Sequence, residues 1–319
     1  MANIVTLGDL AARTTNSGGQ RPVVPYRAPQ RAPGAAAIPI RRDAAEEREK
    51  TKLCKTVALY ALKELVVGLI LAIPTAFFIA TPASMALLFV GLAVTVIFNA
   101  AVRGHTRYYE YKLFVAQRQG FRDRDPNEIT RLSERHADAQ RLENFICPTA
   151  FVFSSYLTGP GTLIHEGGHA IASHMVYKNP VPNISVDSGG GKTSFFTNEL
   201  TSFGNNLGKE GSSMFVSAAG AGIWVLISAG AMFMSHKWRK THPELSRYLL
   251  MTVIISIFHH VVYAISALTA SMQDKSHDFV NLWLGGVHPL VSVICMIAIP
   301  LLVKGGMILY DRYKARHVH

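Results

Sequence analysis

The composition of this 319-residue chain favours an integral membrane protein over a soluble enzyme. Hydrophobic residues make up 49% of the sequence and charged residues only 17%, whereas about a quarter of a typical soluble domain is charged. The mean hydropathy is +0.20. The net charge of +11 does not indicate nucleic-acid binding, because Lys and Arg cluster beside apolar segments and no nucleic-acid motif is present. Cys54, Cys147 and Cys295 are too widely spaced to predict a disulfide framework.

The N-terminal part of the chain is predicted to form three segments. Residues 1–50 are rich in Arg, Pro, Ala and Gly, which predicts a disordered basic arm. Residues 51–103 hold two apolar runs joined by a short turn, which is typical of a transmembrane helical hairpin. Within the first run, Lys63 and Glu64 are expected to reach the membrane interface. Residues 104–145 are polar and predict an exposed amphipathic helix.

The run His165-Glu166-Gly167-Gly168-His169 is the strongest candidate for a functional site. Positions i and i+4 share one face of a helix, so His165 and His169 can bind the same metal ion. Glu166 lies between them and can accept a proton from a metal-bound water. The run lies in an apolar sequence, where ionisable residues are costly and mark functional sites. The alternative is two surface histidines on a soluble helix.

Residues 146–303 are predicted to add four membrane spans, the last of them over 279–303, which makes six in all. The first of these carries the histidines and is broken at 158–161. A polar, glycine-rich stretch follows and predicts two short strands, at 183–187 and 192–196. The predicted fold is therefore an all-α polytopic membrane protein of about six transmembrane helices with a small β-hairpin. Residues 304–319 form a basic C-terminal tail.

A catalytic zinc ion usually takes three protein ligands and keeps one position open for water. Asp278 is the preferred third ligand, because a carboxylate entering a membrane helix needs a partner and it shares the predicted membrane face of His169. His277 is the fallback ligand, and His174 is a weaker candidate. Asp278 could instead simply cap its helix. Asn281, one helical turn from His277, is expected to orient a ligand.

Three other histidines lie in the predicted spans. His259 and His260 are expected to form interhelical hydrogen bonds, although one of them could touch the site. His288 is similarly ambiguous.

Lys and Arg are enriched in every second connecting segment, which predicts that both termini are cytoplasmic. By the same rule the glycine-rich segment, and with it the site, faces the opposite side.

These motifs together resemble the site-2 protease family of intramembrane zinc metalloproteases, and its bacterial members in particular. The resemblance covers residues 146–303 and rests on four stretches: 165–170, the glycine-rich strands around 187–193, the small residues at 217–222 and the acidic motif at 277–282. The Asn-Pro-x-Pro-x-x-Asp-Gly run of many members is absent. The resemblance implies a three-helix metalloprotease core in a multi-pass protein of a bacterial inner or plasma membrane.

The function expected from the residues and the resemblance is that of a zinc endopeptidase. Zn²⁺ would be held by His165, His169 and Asp278, with Glu166 as the general base. The expected partners are the lipid bilayer and a membrane protein substrate, cleaved in or near its transmembrane segment. The resemblance implies that this substrate is unwound and binds the strand pair by strand addition. The alternative is a non-proteolytic metal-binding membrane scaffold or regulator on the same fold.

Overall fold

The chain forms long helices and one small sheet. A computed structural model describes residues 40–118, 126–187, 190–197, 199–273 and 276–317. In chain order the elements are α1 (Ile40–Ala76), α2 (Pro82–Arg118), α3 (Pro126–Leu157), α4 (Pro160–Val176), β1 (Asn183–Asp187), β2 (Gly190–Ser194), α5 (Ser202–Trp238), α6 (Pro243–Ser266), α7 (Asp278–Leu284) and α8 (Pro289–His317). The chain divides into a unit Met1–Ala45 and a unit Glu46–His319. All packing described below lies within the second unit.

Five helices are long and apolar enough to cross a membrane. They are Ala44–Ala76, Pro82–Arg118, Ser202–Trp238, Pro243–Ser266 and Pro289–His317. Only 11% to 39% of the residues in their most apolar windows are buried inside the protein. Most of their apolar side chains therefore face outward; Ile70 is 63% exposed and Leu302 is 73% exposed. Apolar surface on this scale indicates contact with lipid, and a multi-pass membrane protein is the class that fits.

The predicted helix that carries the histidines is broken, as the sequence indicates. Helix α3 ends at Leu157 and α4 begins at Pro160. Between them, Gly159 adopts a left-handed conformation with φ of 112°, which glycine adopts without steric cost. The break is buried, and the indole of Trp224 donates to the carbonyl of Gly161 at 3.3 Å. Helix α4 has only 17 residues, so the count of six spans stays a prediction.

The last predicted span is also interrupted, which corrects the expectation of one continuous helix over 279–303. Helix α7 ends at Leu284 and α8 begins at Pro289. Gly286, between them, has φ of 95°, and the side chain of His288 accepts the backbone N–H of Leu290 at 3.3 Å. The glycine turn and the proline end one helix and start another. The short α7 is thus an independent element with its own orientation.

Helix α7 is fixed by its own apolar residues. Phe279 and Val280 are fully buried, in a cluster that also contains Ala221 of α5, Ala264 of α6 and Met296 of α8. This anchoring holds the first residue of α7, Asp278, in a defined place.

The two strands form a hairpin with one edge already occupied. Strand β1 pairs antiparallel with β2, from Asn183↔Ser194 to Asp187↔Gly190. On the other edge of β1, the N–H of Val186 donates to the carbonyl of Phe78 at 2.7 Å. In the described part of the chain, β2 pairs with β1 alone. The available edge of this sheet is therefore that of β2.

A buried ion pair joins the N-terminal hairpin to the rest of the helices. Arg103 of α2 lies 2.8 Å from Glu64 of α1 and 3.0 Å from Glu244 of α6. The amide of Asn99 donates to Glu64 at 3.1 Å, and Tyr248 also contacts Glu64. Glu64 is 6% exposed and faces Arg103 inside the protein, whereas the sequence suggested a side chain that reaches outward. A buried carboxylate is tolerated here because Arg103 and two further donors satisfy it.

The helices cross several of the predicted segment boundaries. Helix α1 begins at Ile40, inside the segment predicted to be a disordered arm, and residues 1–39 lie outside the described residues. Ion pairs between Lys50 and Glu47 (3.3 Å) support this first part of α1. In the polar segment 104–145, the described residues belong to the end of α2, up to Arg118, and to the first part of α3, from Pro126. Helix α8 continues through the basic tail to His317.

Candidate metal centre

Three side chains from two helices converge on one point. The Nε2 atom of His165 lies 2.9 Å from Oδ2 of Asp278, and Nε2 of His169 lies 3.2 Å from the same oxygen. The two imidazole nitrogens are 3.1 Å apart. The histidines share a face of α4, and α7 brings Asp278 to them, 109 residues further along the chain than His169. The structure thus brings together three of the four predicted site residues around one point.

The outer nitrogen of each imidazole is held by an oriented neighbour. His169 donates from Nδ1 to the carbonyl of Val216 at 2.7 Å. His260 donates from Nδ1 to the carbonyl of Ser256 at 2.8 Å, which leaves its Nε2 as an acceptor. That Nε2 lies 3.3 Å from Nδ1 of His165, which is therefore the donor. In neutral imidazoles the proton sits on one nitrogen, so the Nε2 atoms of His165 and His169 both carry lone pairs.

The converging atoms fit a divalent cation. Two imidazole lone pairs and one carboxylate oxygen face one another, and repulsion between them is relieved by a shared positive charge. Tetrahedral zinc with bonds of about 2.0–2.1 Å holds its ligand atoms roughly 3.3 Å apart, close to the separations found here. His165, His169 and Asp278 are only slightly exposed, at 12%, 8% and 14% of their side chains. A small opening to solvent is what an open coordination position for water requires.

Glycine at position 220 keeps room for this centre. A Cβ added at Gly220 of α5 would lie 2.5 Å from Nε2 of His169 and 2.6 Å from Nε2 of His165. At the neighbouring residue of α5, Ala219, the carbonyl oxygen would lie 2.5 Å from a Cβ added at Gly168 of α4. The small-residue run of α5 therefore does two things: it lets α4 and α5 approach closely, and it leaves space beside the Nε2 atoms of His165 and His169.

Glu166 lies beside the three converging atoms. One of its carboxylate oxygens is within 4.8 Å of the ring nitrogens of His165 and His169. The hydroxyl of Thr193 on β2 lies 2.7 Å from Oε2 of Glu166 and donates to it. A Cβ at Gly191 would lie 2.6 Å from Cγ of Glu166, so β2 passes in direct contact with this side chain. The hairpin therefore fixes the orientation of the Glu166 carboxylate.

The other candidate ligands point elsewhere. Nε2 of His277 lies 3.0 Å from the hydroxyl of Ser266, and its ring stacks on Tyr263 with centroids 4.4 Å apart. His174 is exposed on the surface of α4. Asn281 was expected to orient a ligand, but its amide donates to Ser217 of α5 at 2.8 Å. It faces α5 because it lies on the inner side of α7, and it ties α7 to the small-residue helix.

Several contacts of the site were missed by sequence reasoning. Tyr263 donates to Oδ2 of Asp278 at 3.4 Å, and Thr193 orients Glu166. Tyr263 follows His260 by three positions, which places both on one face of α6. This spacing is the sequence feature from which the position of Tyr263 at the site could have been predicted. His259, its neighbour, is exposed, so His260 is the member of the pair that touches the site.

His260 should tune the metal affinity without binding metal itself. In His260→Leu the Nδ1 proton of His165 loses its acceptor, so the ring is free to turn or change tautomer. We expect the affinity for Zn²⁺ to fall about 10–100-fold, the usual effect of removing such a partner. A competition titration against a coloured chelator measures this, with His259→Leu as the matched control. Equal affinities for wild type and His260→Leu would contradict the assignment.

Comparison with protein-family models, curated proteins and solved structures gave no match to this chain.

Proposed function

We propose that this protein is an intramembrane zinc endopeptidase, similar in mechanism to the site-2 proteases. The observation that carries the proposal is the convergence of His165, His169 and Asp278 within 3.2 Å of one another, beside the carboxylate of Glu166. Two neutral imidazoles, one carboxylate and an adjacent general base form the residue set of a zinc hydrolase. A metal site built only for structure has no use for a base in that position.

Each residue has a distinct role in the proposed reaction. A zinc ion held by His165, His169 and Asp278 would supply a water with its pKa lowered to about 7 and a positive charge to polarise the scissile carbonyl. Glu166 accepts the proton of the attacking water and returns it to the nitrogen of the leaving amine. The Thr193 hydroxyl, 2.7 Å from Oε2 of Glu166, holds the carboxylate in the orientation for this transfer. Tyr263 and His260 keep Asp278 and His165 in place.

The substrate of the proposed reaction is an extended segment of another membrane protein. A helical backbone hides its carbonyls in hydrogen bonds, so the scissile segment must unwind before attack. Strand β2 has an edge that no other described strand covers, and it runs in contact with Glu166. A substrate strand added to this edge would gain main-chain hydrogen bonds while its carbonyls pass the catalytic groups.

The proposed topology follows from the same residues. Helices α4, α5 and α7 form the metalloprotease core, with α3 and α4 together making the sixth span. Lys and Arg enrichment in alternate connections supports cytoplasmic termini and a site on the opposite side of a bacterial inner or plasma membrane. The lipid bilayer then carries both enzyme and substrate.

The test measures zinc stoichiometry and cleavage of a model transmembrane substrate by the full chain in detergent. Wild type should bind one zinc ion and cleave. Asp278→Ala should lose both properties, whereas His277→Ala should keep both, because His277 points to Ser266. Zinc retained by Asp278→Ala and lost from His277→Ala would move the third ligand by one residue. Stoichiometric zinc without cleavage of any transmembrane substrate would favour the scaffold or regulator instead.

A further inference from the structure

A second feature lies where the ends of α5 and α8 meet. A groove of about 1320 Å³ runs between these helices. One part of its wall is apolar and includes Phe233, Leu302 and Met307. The other part is polar and lies at the C-terminal end of α5. Both helices are among those long and apolar enough to cross a membrane, so the apolar part of the wall is suited to contact with lipid acyl chains.

The polar part of the groove carries an excess of positive charge. Its wall has four cationic side chains, Lys237, Arg239, Lys240 and Lys314, and a single carboxylate, Asp311. Arg239 already binds that carboxylate at 2.8 Å. Within the described part of the chain, the three lysines form no ion pair. Their positive charge is therefore left for a ligand from outside the protein.

The base of the polar part is ordered rather than a set of loose surface chains. His236 is 5% exposed, and its Nε2 lies 2.9 Å from Oδ2 of Asp311. Lys304 approaches Nδ1 of the same ring at 3.2 Å. This cluster ties α5 to α8 and fixes the spacing of the groove walls. Basic pockets between membrane helices are the sites that hold lipid phosphates.

We propose that this groove binds an anionic phospholipid, with its phosphate at Lys237, Lys240 and Lys314 and its acyl chains along Phe233 and Leu302. A soluble anion would use the lysines but not the apolar wall, and a zwitterionic lipid would leave the excess charge uncompensated. The proposal is independent of the proposed protease activity. The basic ends of α5 and α8 are those predicted to face the cytoplasm, so the lipid would come from that leaflet.

The test uses the full chain in a neutral detergent, where no charged surface contributes, and measures bound phosphatidylglycerol or phosphatidylcholine by native mass spectrometry. Phosphatidylglycerol should be retained in preference to phosphatidylcholine. Lys237→Gln with Lys314→Gln should weaken its retention about tenfold or more. The matched control, Arg312→Gln with Arg316→Gln, removes the same charge from exposed positions of α8 outside the groove and should change nothing.

Three outcomes would overturn the proposal. Equal losses in the two double variants would show attraction by net charge without a site. Equal retention of the two lipids would show that the groove does not select an anionic headgroup. Displacement of phosphatidylglycerol by millimolar inorganic phosphate would show that the lysines bind a soluble anion and that the apolar wall contributes nothing.

Discussion

Glu166→Gln should leave zinc bound and lower the rate of peptide cleavage by about 10²–10⁴-fold, the usual contribution of a general base. Glutamine has the same shape, and its amide oxygen can still accept the Thr193 hydroxyl that now lies 2.7 Å from Oε2. It cannot take up a proton. Single-turnover cleavage of a model transmembrane substrate, with zinc measured on the same sample, separates the chemical step from metal binding.

A second variant and two contrary outcomes would sharpen that experiment. Thr193→Val removes the hydroxyl but keeps the carboxylate, so it should lower the rate far less than Glu166→Gln and leave the metal bound. If Glu166→Gln lost zinc, Glu166 would be a ligand and not the base. Unchanged cleavage in Glu166→Gln would contradict the proposed mechanism altogether.

Gly220→Ala should weaken zinc binding by about 100-fold, the upper end of the usual effect of disturbing the groups that orient metal ligands. The added methyl group would lie 2.5 Å from Nε2 of His169 and 2.6 Å from Cε1 and Nε2 of His165. These rings cannot move away easily, since Val216 and His260 hold their outer nitrogens. Titration of zinc against a chelator in detergent gives the affinity directly.

Gly222→Ala is the matched control for that substitution. A Cβ at Gly222 has no atom within 4 Å, and alanine favours a helix by about 1 kcal/mol over glycine. We expect unchanged zinc affinity and an equal or higher thermal stability. Should Gly220→Ala bind zinc as tightly as Gly222→Ala, the two imidazoles would not need the geometry described here.

Two kinds of site residue could be predicted well from the sequence. They are residues placed on one face by helical spacing and charged residues that stand beside an apolar run. His165 and His169 are four positions apart, so their convergence follows from the helix alone. Asp278 is an acidic residue at the start of an apolar run, so its need for a partner could be predicted from the sequence. The break before α4 was equally predictable, because a glycine and a proline stand together at 159 and 160.

The contacts across helices could not be predicted in the same way. Membrane helices are apolar on most sides, so the sequence does not reveal which face of α6 points inward, and His260 and Tyr263 could not be assigned to the site. Glu64 was expected at the membrane surface because its partner, Arg103, is 39 residues away. The interruption of the last span was missed for another reason: hydropathy is insensitive to the backbone turn at Gly286.

The ion pair between Glu64 and Arg103 has a consequence for the order in which the protein enters the membrane. Both charges belong to α1 and α2, which precede α6 in the chain. Each charge alone would oppose insertion, but within the hairpin they neutralise each other at 2.8 Å. The two charges can therefore be neutralised as α1 and α2 enter the bilayer, and Glu244 of α6, 3.0 Å from the same guanidinium, adds to the pair later.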